Sequence, residues 1–507
     1  MPEFPPEIYL AIFSFLDARS LASCQQVCQS FLALINEMVA LEYTNELARH
    51  GYIDHAADLP LLYRLDQLHE HHNAWDKLDG VWSEIILDRS GPSTQMYSGN
   101  VLAKNSGQGR FDFTRLPSSS PCVEQREWLI PVPDSNLGVS EFEIDASQNL
   151  LVVYKCPWWE RNPNIPVQFH LLTMSSGKAH ELASAPILKH VHNDPNFSVS
   201  FTIQIAGDHL GVRFNANVAP TELVYLTGNE IRSFAFLTEK HVVIAVSTDT
   251  ELRLLVVNFI AESSEQTRVT NVTHCLALRL PNLSPSSVLL DFIIECDPSP
   301  TWPNQDDSIP FHDEVLYSVT LCTVAGKYRI TILIPRRTLL AQLRSFVTGA
   351  KEVEWSAWGP EGARVLFFRM LDSIAWATFG SRFVAFHYHL GEIDVYDFNQ
   401  MTLKRKLSSG CPLQYGNPNK LLRPPVGQDD PTLLVVDETV LPSDALIFQE
   451  EVRTSLPFCA RAFPTYLRGT QDPYPFGLMC SQDNITIISS KYHVFTLGDS
   501  GHAQPKG

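Results

Sequence analysis

Ser500, within Gly498-Asp499-Ser500-Gly501, stands where a serine nucleophile could, and such a nucleophile needs a histidine base and a backbone oxyanion hole. The residues after it in the sequence hold no strands to wall a specificity pocket, so 498-507 is expected to be a flexible tail. His69 and His72 share a helix face within the run His69-Glu70-His71-His72, a spacing that two metal ligands could use. No cysteine or histidine pair succeeds them at finger spacing, and a solvated helix face is expected instead. His387 and His389 would share one face of a strand, yet the sequence offers no third ligand, so they read as a pair of partly buried histidines. Gly107-Gln108-Gly109 lacks the strand, helix and lysine of a phosphate loop and reads as a hairpin or loop. No residue is assigned to catalysis or to a metal, and no cofactor is expected.

The elements that would have to position any such chemistry change character along the chain. Pro5 and Pro6 suit a first helical turn, where a missing N–H would be unpaired in any case, so a helix starts at about Pro5. Ile8, Ile12, Phe15 and Leu16 recur at three- and four-residue steps and form one stripe, widened by Leu10 and Phe13. Asp17 offers a carboxylate cap to a second helix that carries Leu21 and Cys24. A third helix from about Cys28 carries Phe31, Leu34, Ile35 and Met38 on one side. Three short helices cannot bury that much apolar surface among themselves, because small units bury the smallest fraction of their surface. A partner is implied.

These residues resemble the F-box family. Phe4-Pro5-x-Glu7-Ile8, then Ile12-Phe13-Ser14-Phe15-Leu16-Asp17, then Leu21, then Val27-Cys28-x-x-Phe31 is similar to its Leu-Pro-x-Glu-Leu, Ile-Phe-Ser-Tyr-Leu and Val-Cys-x-x-Trp pattern. Phe4 replaces the usual leucine and Phe31 the usual tryptophan, both keeping a large apolar group. The resemblance implies docking onto a Skp-type adaptor, and through it onto a cullin that brings a ubiquitin-charged conjugating enzyme. It also implies the adaptor-binding residues: Phe4, Pro5, Glu7, Ile8, Ile12, Phe13, Phe15, Leu16, Leu21, Val27, Cys28 and Phe31. Within that set Ile8, Ile12 and Leu16 are expected to form the contact stripe, with Phe4-Pro5 setting the entry angle and Val27 and Phe31 supporting it. Cys28, one helical turn from Cys24, is accounted for by the Val-Cys position rather than by a thiol pair.

The chain of 507 residues is too long for one ordinary core, and its 19% charged content places it among globular chains. Its formal net charge is -18, with 12 acidic and 4 basic residues over positions 1 to 80, so phosphate backbones would be repelled and nucleic acid is excluded as a partner. No basic flank with an apolar run opens the sequence and no stretch is apolar enough to span a bilayer, so an intracellular protein without a membrane partner, cytoplasmic or nuclear, is expected. The ten cysteines contain no Cys-x-x-Cys pair, which leaves no disulfide framework, zinc finger or RING.

Helical patterning continues over residues 29 to 50, with Gly51 as a stop, and resumes through Leu61, Leu65, Leu68, His72, Trp75 and Leu78 to Asp79-Gly80. After Val81 short runs of Val, Ile, Phe and Tyr between turn residues predict about two dozen strands. So many short strands need a closed or repeated architecture. The fold expected is mainly β with a helical N-terminal unit: an F-box at 1-50, a helical linker at 51-80 projecting from the β domain, and a β-propeller of six to eight blades at 81-497, seven being the central value. Tyr396-Asp397 sits where a WD dipeptide would, but no consensus repeat is present and no Gly-Gly pair supports kelch repeats. The arrangement resembles members of the large fungal F-box families. Long loops at 156-166, 297-311 and 411-431 carry Trp158, Trp159 and Trp302, which serve either as anchors for a partner or as cover for the domain's own core.

The function expected is that of a non-catalytic substrate receptor of a Skp-cullin-F-box ubiquitin ligase, which holds an unidentified target protein on its β domain. A scaffold that binds the adaptor without directing ubiquitin transfer, and a propeller enzyme bearing an F-box, are the alternatives.

Overall fold

The computed structural model describes the chain except at residues 1-3, 17, 51, 54-58, 86-94, 108-109, 119-124, 132-138, 156-165, 191-198, 217-229, 249-250, 261-273, 300-310, 313-314, 324-327, 346-350, 370-373, 409-413, 416-432, 442-446, 468-476, 490 and 499-507. Trp158, Trp159, Trp302 and Ser500 lie outside the described residues, as does Asp17, the expected cap.

Helix α1 (Pro6–Phe13) starts where the two prolines predict, with extended Pro5 before it and Glu7 in the first turn, where a carboxylate favours the helix dipole. Helices α2 (Ala18–Gln25) and α3 (Gln29–Glu37) come next, Cys28 being extended ahead of α3. The helical run expected over 29 to 50 is broken, because Met38 is extended and a separate α4 (Val39–His50) begins after it. The break turns Leu41 into the core that Phe13, Leu21 and Ile35 form.

Helix α5 (Leu61–Lys77) ends at Leu78, a left-handed residue whose N–H returns to the Trp75 carbonyl. Helices are not alone before residue 80. Tyr52–Ile53 forms a two-residue strand paired antiparallel with Phe311–His312, which corrects the expectation of an all-helical stretch there. A second correction is that α5 does not project: Ala74 and Trp75 are buried among Phe379, Val384, Ile485 and Phe495 of the β domain.

Six sheets of four or more strands make a six-blade β-propeller arrangement. Blade 1 holds Gln95–Ser98, Val101–Gly107, Arg110–Arg115 and Arg126–Pro131, with Gly107 opposite Arg110 in a hairpin. Blade 2 holds Val139–Asp145, Leu150–Lys155, Val167–Thr173 and Ile187–His190. Blade 3 holds Glu230–Thr238, His241–Ser247, Leu252–Asn258 and His274–Arg279, extended by Lys351–Val353. Blade 4 holds Leu289–Glu295, Leu316–Thr323, Tyr328–Pro335 and Arg364–Arg369. Blade 5 begins with Ile374–Phe379, Arg382–His387, Glu392–Asp397 and Phe458–Pro464 and adds two short strands outside them. Blade 6 takes three strands from one end of the sequence, Gly477–Cys480, Asn484–Ile488 and Tyr492–Leu497, and its fourth, Gly80–Ile85, from the other.

Between blades 2 and 3 lies a ribbon of two strands among the described residues, Val199–Ala206 and His209–Ala216, whose first strand packs on the first strands of both neighbours. Six full blades fall within the expected range but one short of the central value of seven, since the ribbon has two strands among the described residues and is not a full blade. Strand Leu316–Thr323 is buried at every residue, because a blade is covered on both faces by the next. Three short helices, Arg336–Arg344, Trp355–Gly362 and Gln400–Ser408, are inserted among the strands, and the alternating pattern does not announce them.

Candidate functional site

The four helices α1 to α4 have a core and a bare side, and the residues marked in the sequence divide between them. Phe13 and Leu21 are buried with Ile35 and Leu41, and Tyr9, Leu10, Leu16, Cys24, Phe31 and Leu34 pack around them. Phe31 lies edge-on to Phe13, ring centroids 5.1 Å apart, and tilted against Tyr9 at 5.0 Å. Phe13 and Leu21 are therefore shape-holding residues of the unit itself. Leu16 and Phe31 are half-buried for the same reason.

On the other side Phe4, Ile8 and Ile12 are exposed, and Phe15 is 88% exposed. Spaced by four, four and three residues, they lie along one stripe of α1 and its ends. The exposed stripe thus ends on Phe15, and Leu16, expected in the contact stripe, is half-buried beside it. Pro5 and Glu7 are exposed beside it. Val27, 68% exposed, and Cys28 add the turn before α3, while Leu32 and Met38 extend the apolar surface along that helix. Leu32 carries no motif letter; its spacing of four from Cys28 was the available signal. An exposed apolar set of this density on so small a unit marks an interaction surface.

A second group of marked residues joins the helices to the propeller. His71 Nε2 lies 2.9 Å from the Gln482 carbonyl oxygen and 3.5 Å from Asp483, and Trp75 Nε1 donates to that same carbonyl at 2.8 Å. Arg382 stacks on the other side, 4.1 Å from the Trp75 ring centroid. His72 and Lys406 reach Asp76 at 3.0 Å and 2.8 Å. Burial acts to raise the Asp76 carboxyl, but His72 and Lys406 hold it well below the ordinary carboxylate range; burial lowers His71, opposed by Asp483. Within the His69 to His72 run, His71 therefore seats on blade 6, whereas His69 lies near Glu46 of α4, Glu70 is exposed and His72 pairs with Asp76 on its own helix, so the face is solvated only in part. Among the described residues no three His, Cys, Asp or Glu side chains gather in a way that could hold a metal ion.

His387 and His389 are not brought together. His387 ends its strand buried and bonded to Asp394 at 2.8 Å, and His389 is exposed in the turn beyond, where the strand's alternation no longer applies. Tyr396 is buried, its hydroxyl donating to Asp394 in the same strand, and Asp397 accepts from Ser381 Oγ and the Asn399 N–H, so Asp397 secures the turn after the strand. No helix among the described residues is long and apolar enough to cross a membrane.

Residues 1–41 match the F-box-like family model. No curated protein matches the chain. Two solved structures align over most of it: the Drosophila Semaphorin 1b extracellular domains 1-2, at 8% identity, TM-score 0.37, 82% of this chain and 86% of that one; and Kuenenia stuttgartiensis hydrazine synthase, at 9%, 0.25, 80% and 83%. Likeness of that degree carries no argument. The motif residues, the helical core they build and the family match agree: the chain carries an F-box-like domain over residues 1–41, set on a six-blade β-propeller arrangement.

Proposed function

We propose that the chain is the substrate-recognition subunit of a Skp-cullin-F-box ubiquitin ligase. The observation that supports this most is the exposed stripe Phe4, Ile8, Ile12 and Phe15 on an F-box-like domain whose own core is already filled by Phe13, Leu21, Ile35 and Leu41. A filled core leaves the stripe for another protein, and burying it there supplies the driving force for association. F-box domains in general bind Skp-type adaptors, so the adaptor is the partner proposed for it, with the cullin reached through the adaptor. The propeller holds the target. Seating α5 on blade 6 through Trp75 and His71 gives the target a fixed position relative to the adaptor, and holding two reactants together replaces a bimolecular search with a high effective concentration. The subunit itself performs no chemistry.

Ile12 and Phe13 are neighbours with opposite environments, and that makes the reading testable. Ile12 is exposed in the free chain, so Ile12→Asp is a surface change for folding but places a charge inside the proposed interface. Co-expression with a Skp-type adaptor is expected to recover at least about tenfold less adaptor with Ile12→Asp, with an unchanged thermal unfolding profile. Phe13→Ala is expected to lower both, since it empties the core by about 3–5 kcal/mol. Wild-type adaptor recovery with Ile12→Asp would sink the assignment.

A further inference from the structure

The turn at 482-483 joins the strands Gly477–Cys480 and Asn484–Ile488 of blade 6, and three separate parts of the chain meet on it. Its Gln482 carbonyl faces His71 and Trp75 of α5. Its Asp483 carbonyl accepts from the Leu497 N–H at 2.9 Å, at the end of the strand that pairs with Gly80–Ile85. The Asp483 side chain reaches blade 1. There Oδ2 accepts from Asn100 Nδ2 at 2.8 Å and from Ser118 Oγ at 2.5 Å, while Oδ1 lies 3.5 Å from His71 Nε2. Asn100 stands in the turn between the first two strands of blade 1, and Ser118 follows its third strand.

Asp483 is 7% exposed, and a carboxylate so deep needs donors. Blade 1 supplies two and α5 faces it with a third. His71 Nε2 carries a proton, because the Gln482 carbonyl oxygen 2.9 Å away can only accept. The network spreads along the seam between the first and last blades: Asn100 Oδ1 accepts from Ser481 Oγ at 2.6 Å, and Asn484 Nδ2 donates to the Pro117 carbonyl at 2.8 Å. Beside it Leu102 and Leu116 are buried with Ile85, Ile488 and Tyr492 of blade 6. The seam where the two ends of the chain close the ring is therefore the seam on which α5 rests. Blades 3 and 4 have a bond of their own, from Ser233 Oγ to the Ile294 carbonyl at 3.2 Å, and it involves no residue of α5.

We propose that Asp483 couples the seating of α5 to the closure of the ring between blades 1 and 6, so that the F-box-like unit keeps its angle only while that seam is shut. One carboxylate is held from both sides. Losing a blade 1 donor frees it to rotate away from His71, and losing His71 leaves a buried anion that blade 1 alone has to satisfy. Coupling of this kind is reciprocal, so a seated α5 also tightens the seam. It holds whatever the propeller binds and whether or not an adaptor is docked.

Amide hydrogen exchange of the full chain reads the two sides separately, with residues 61 to 77 for the seat and Leu316–Thr323 of blade 4 as internal reference. Ser118→Ala removes one donor from outside α5 and is expected to speed exchange over 61 to 77 at least about fivefold, with the reference unchanged. Ser233→Ala makes the same change at the other seam and is expected to leave α5 within about twofold of wild type. In an Asp483→Asn chain, where the shared group is already gone, adding Ser118→Ala is expected to speed exchange over 61 to 77 by less than about twofold. In the reverse direction, His71→Ala is expected to speed exchange at Val101–Gly107 of blade 1. Should Ser118→Ala not fold, Ser118→Cys, which keeps the size and weakens the donor, takes its place. Wild-type exchange over 61 to 77 in the folded Ser118 variant overturns the coupling, as does unchanged blade 1 exchange in His71→Ala. Loosening of equal size in Ser233→Ala overturns it too, since α5 would then report general stability. Full additivity with Asp483→Asn would route the effect around the carboxylate and overturn it as well.

Discussion

Asp297 and Asp76 are two half-buried carboxylates whose surroundings push them in opposite directions, and pH separates them. Asp297, raised to about 7 by burial and by Asp145 and Glu295, keeps a proton in the folded chain over a range where the unfolded chain, near 3.8, has lost it. Its contribution to stability is thus full below the unfolded value and is lost as pH rises through about 7. Asp76, held low by His72 and Lys406 against its burial, contributes above its unfolded value, 3.8, and loses that contribution as pH falls. Asp297→Asn is expected to raise the thermal midpoint at about pH 8 more than at about pH 5, flattening the decline on the alkaline side. A variant with the wild-type slope would place the decline in other groups. At this scale the sequence said little: an acid two residues after another is an ordinary pattern, and Asp145 reaches Asp297 only because separate blades face one channel. Phe13 makes the same point beside Ile12: both were legible as apolar helix residues and Ile12 is exposed as its place in the expected stripe requires, but the burial of Phe13 was not legible.

Helix α5 was legible as an element, from Leu61 to Leu78, because its apolar residues recur at helical steps. Its docking was not. Trp75 meets a carbonyl at Gln482, 407 positions away, and no local period records such a contact. The histidines beside it read as solvated because a single sequence shows the helix face but not what covers it. Trp75 is 4% exposed, donates a hydrogen bond and carries the Arg382 guanidinium on its ring. Trp75→Ala is expected to cost about 3–5 kcal/mol in denaturant unfolding and to open residues 61 to 77 to limited proteolysis. A loss below about 1 kcal/mol would mean that the seat is a loose contact rather than a joint. The break at Met38 was hidden for a related reason: apolar residues continue at helical spacing on both sides of it, and only backbone geometry marks the turn.

At the scale of the whole molecule, the class of fold was legible from strand number and turn residues, and the blade count was confined to a range. What could not be read was closure. Nothing about Gly80–Ile85 announces that it belongs beside Tyr492–Leu497, yet it completes blade 6 with Gly80 opposite Leu497. A Cβ on Gly80 would lie 2.3 Å from the Thr496 carbonyl oxygen and 2.8 Å from Phe495 Cζ. Gly80→Ala is therefore expected to destabilise the closing blade by about 1–3 kcal/mol, read as a lower thermal midpoint. An unchanged midpoint would show that blade 6 tolerates a looser closing strand.

That shared blade also imposes an order on synthesis. The F-box-like helices and the strand Gly80–Ile85 are synthesised well before that strand's neighbour Tyr492–Leu497 and the Gln482 carbonyl that receives Trp75. A chain cut short before Gly477 would keep its exposed apolar stripe and lose the seat on which α5 rests. On the proposed function, such truncated copies would compete for adaptor while holding nothing at a defined distance from it, so the closing blade would couple the stripe to the propeller.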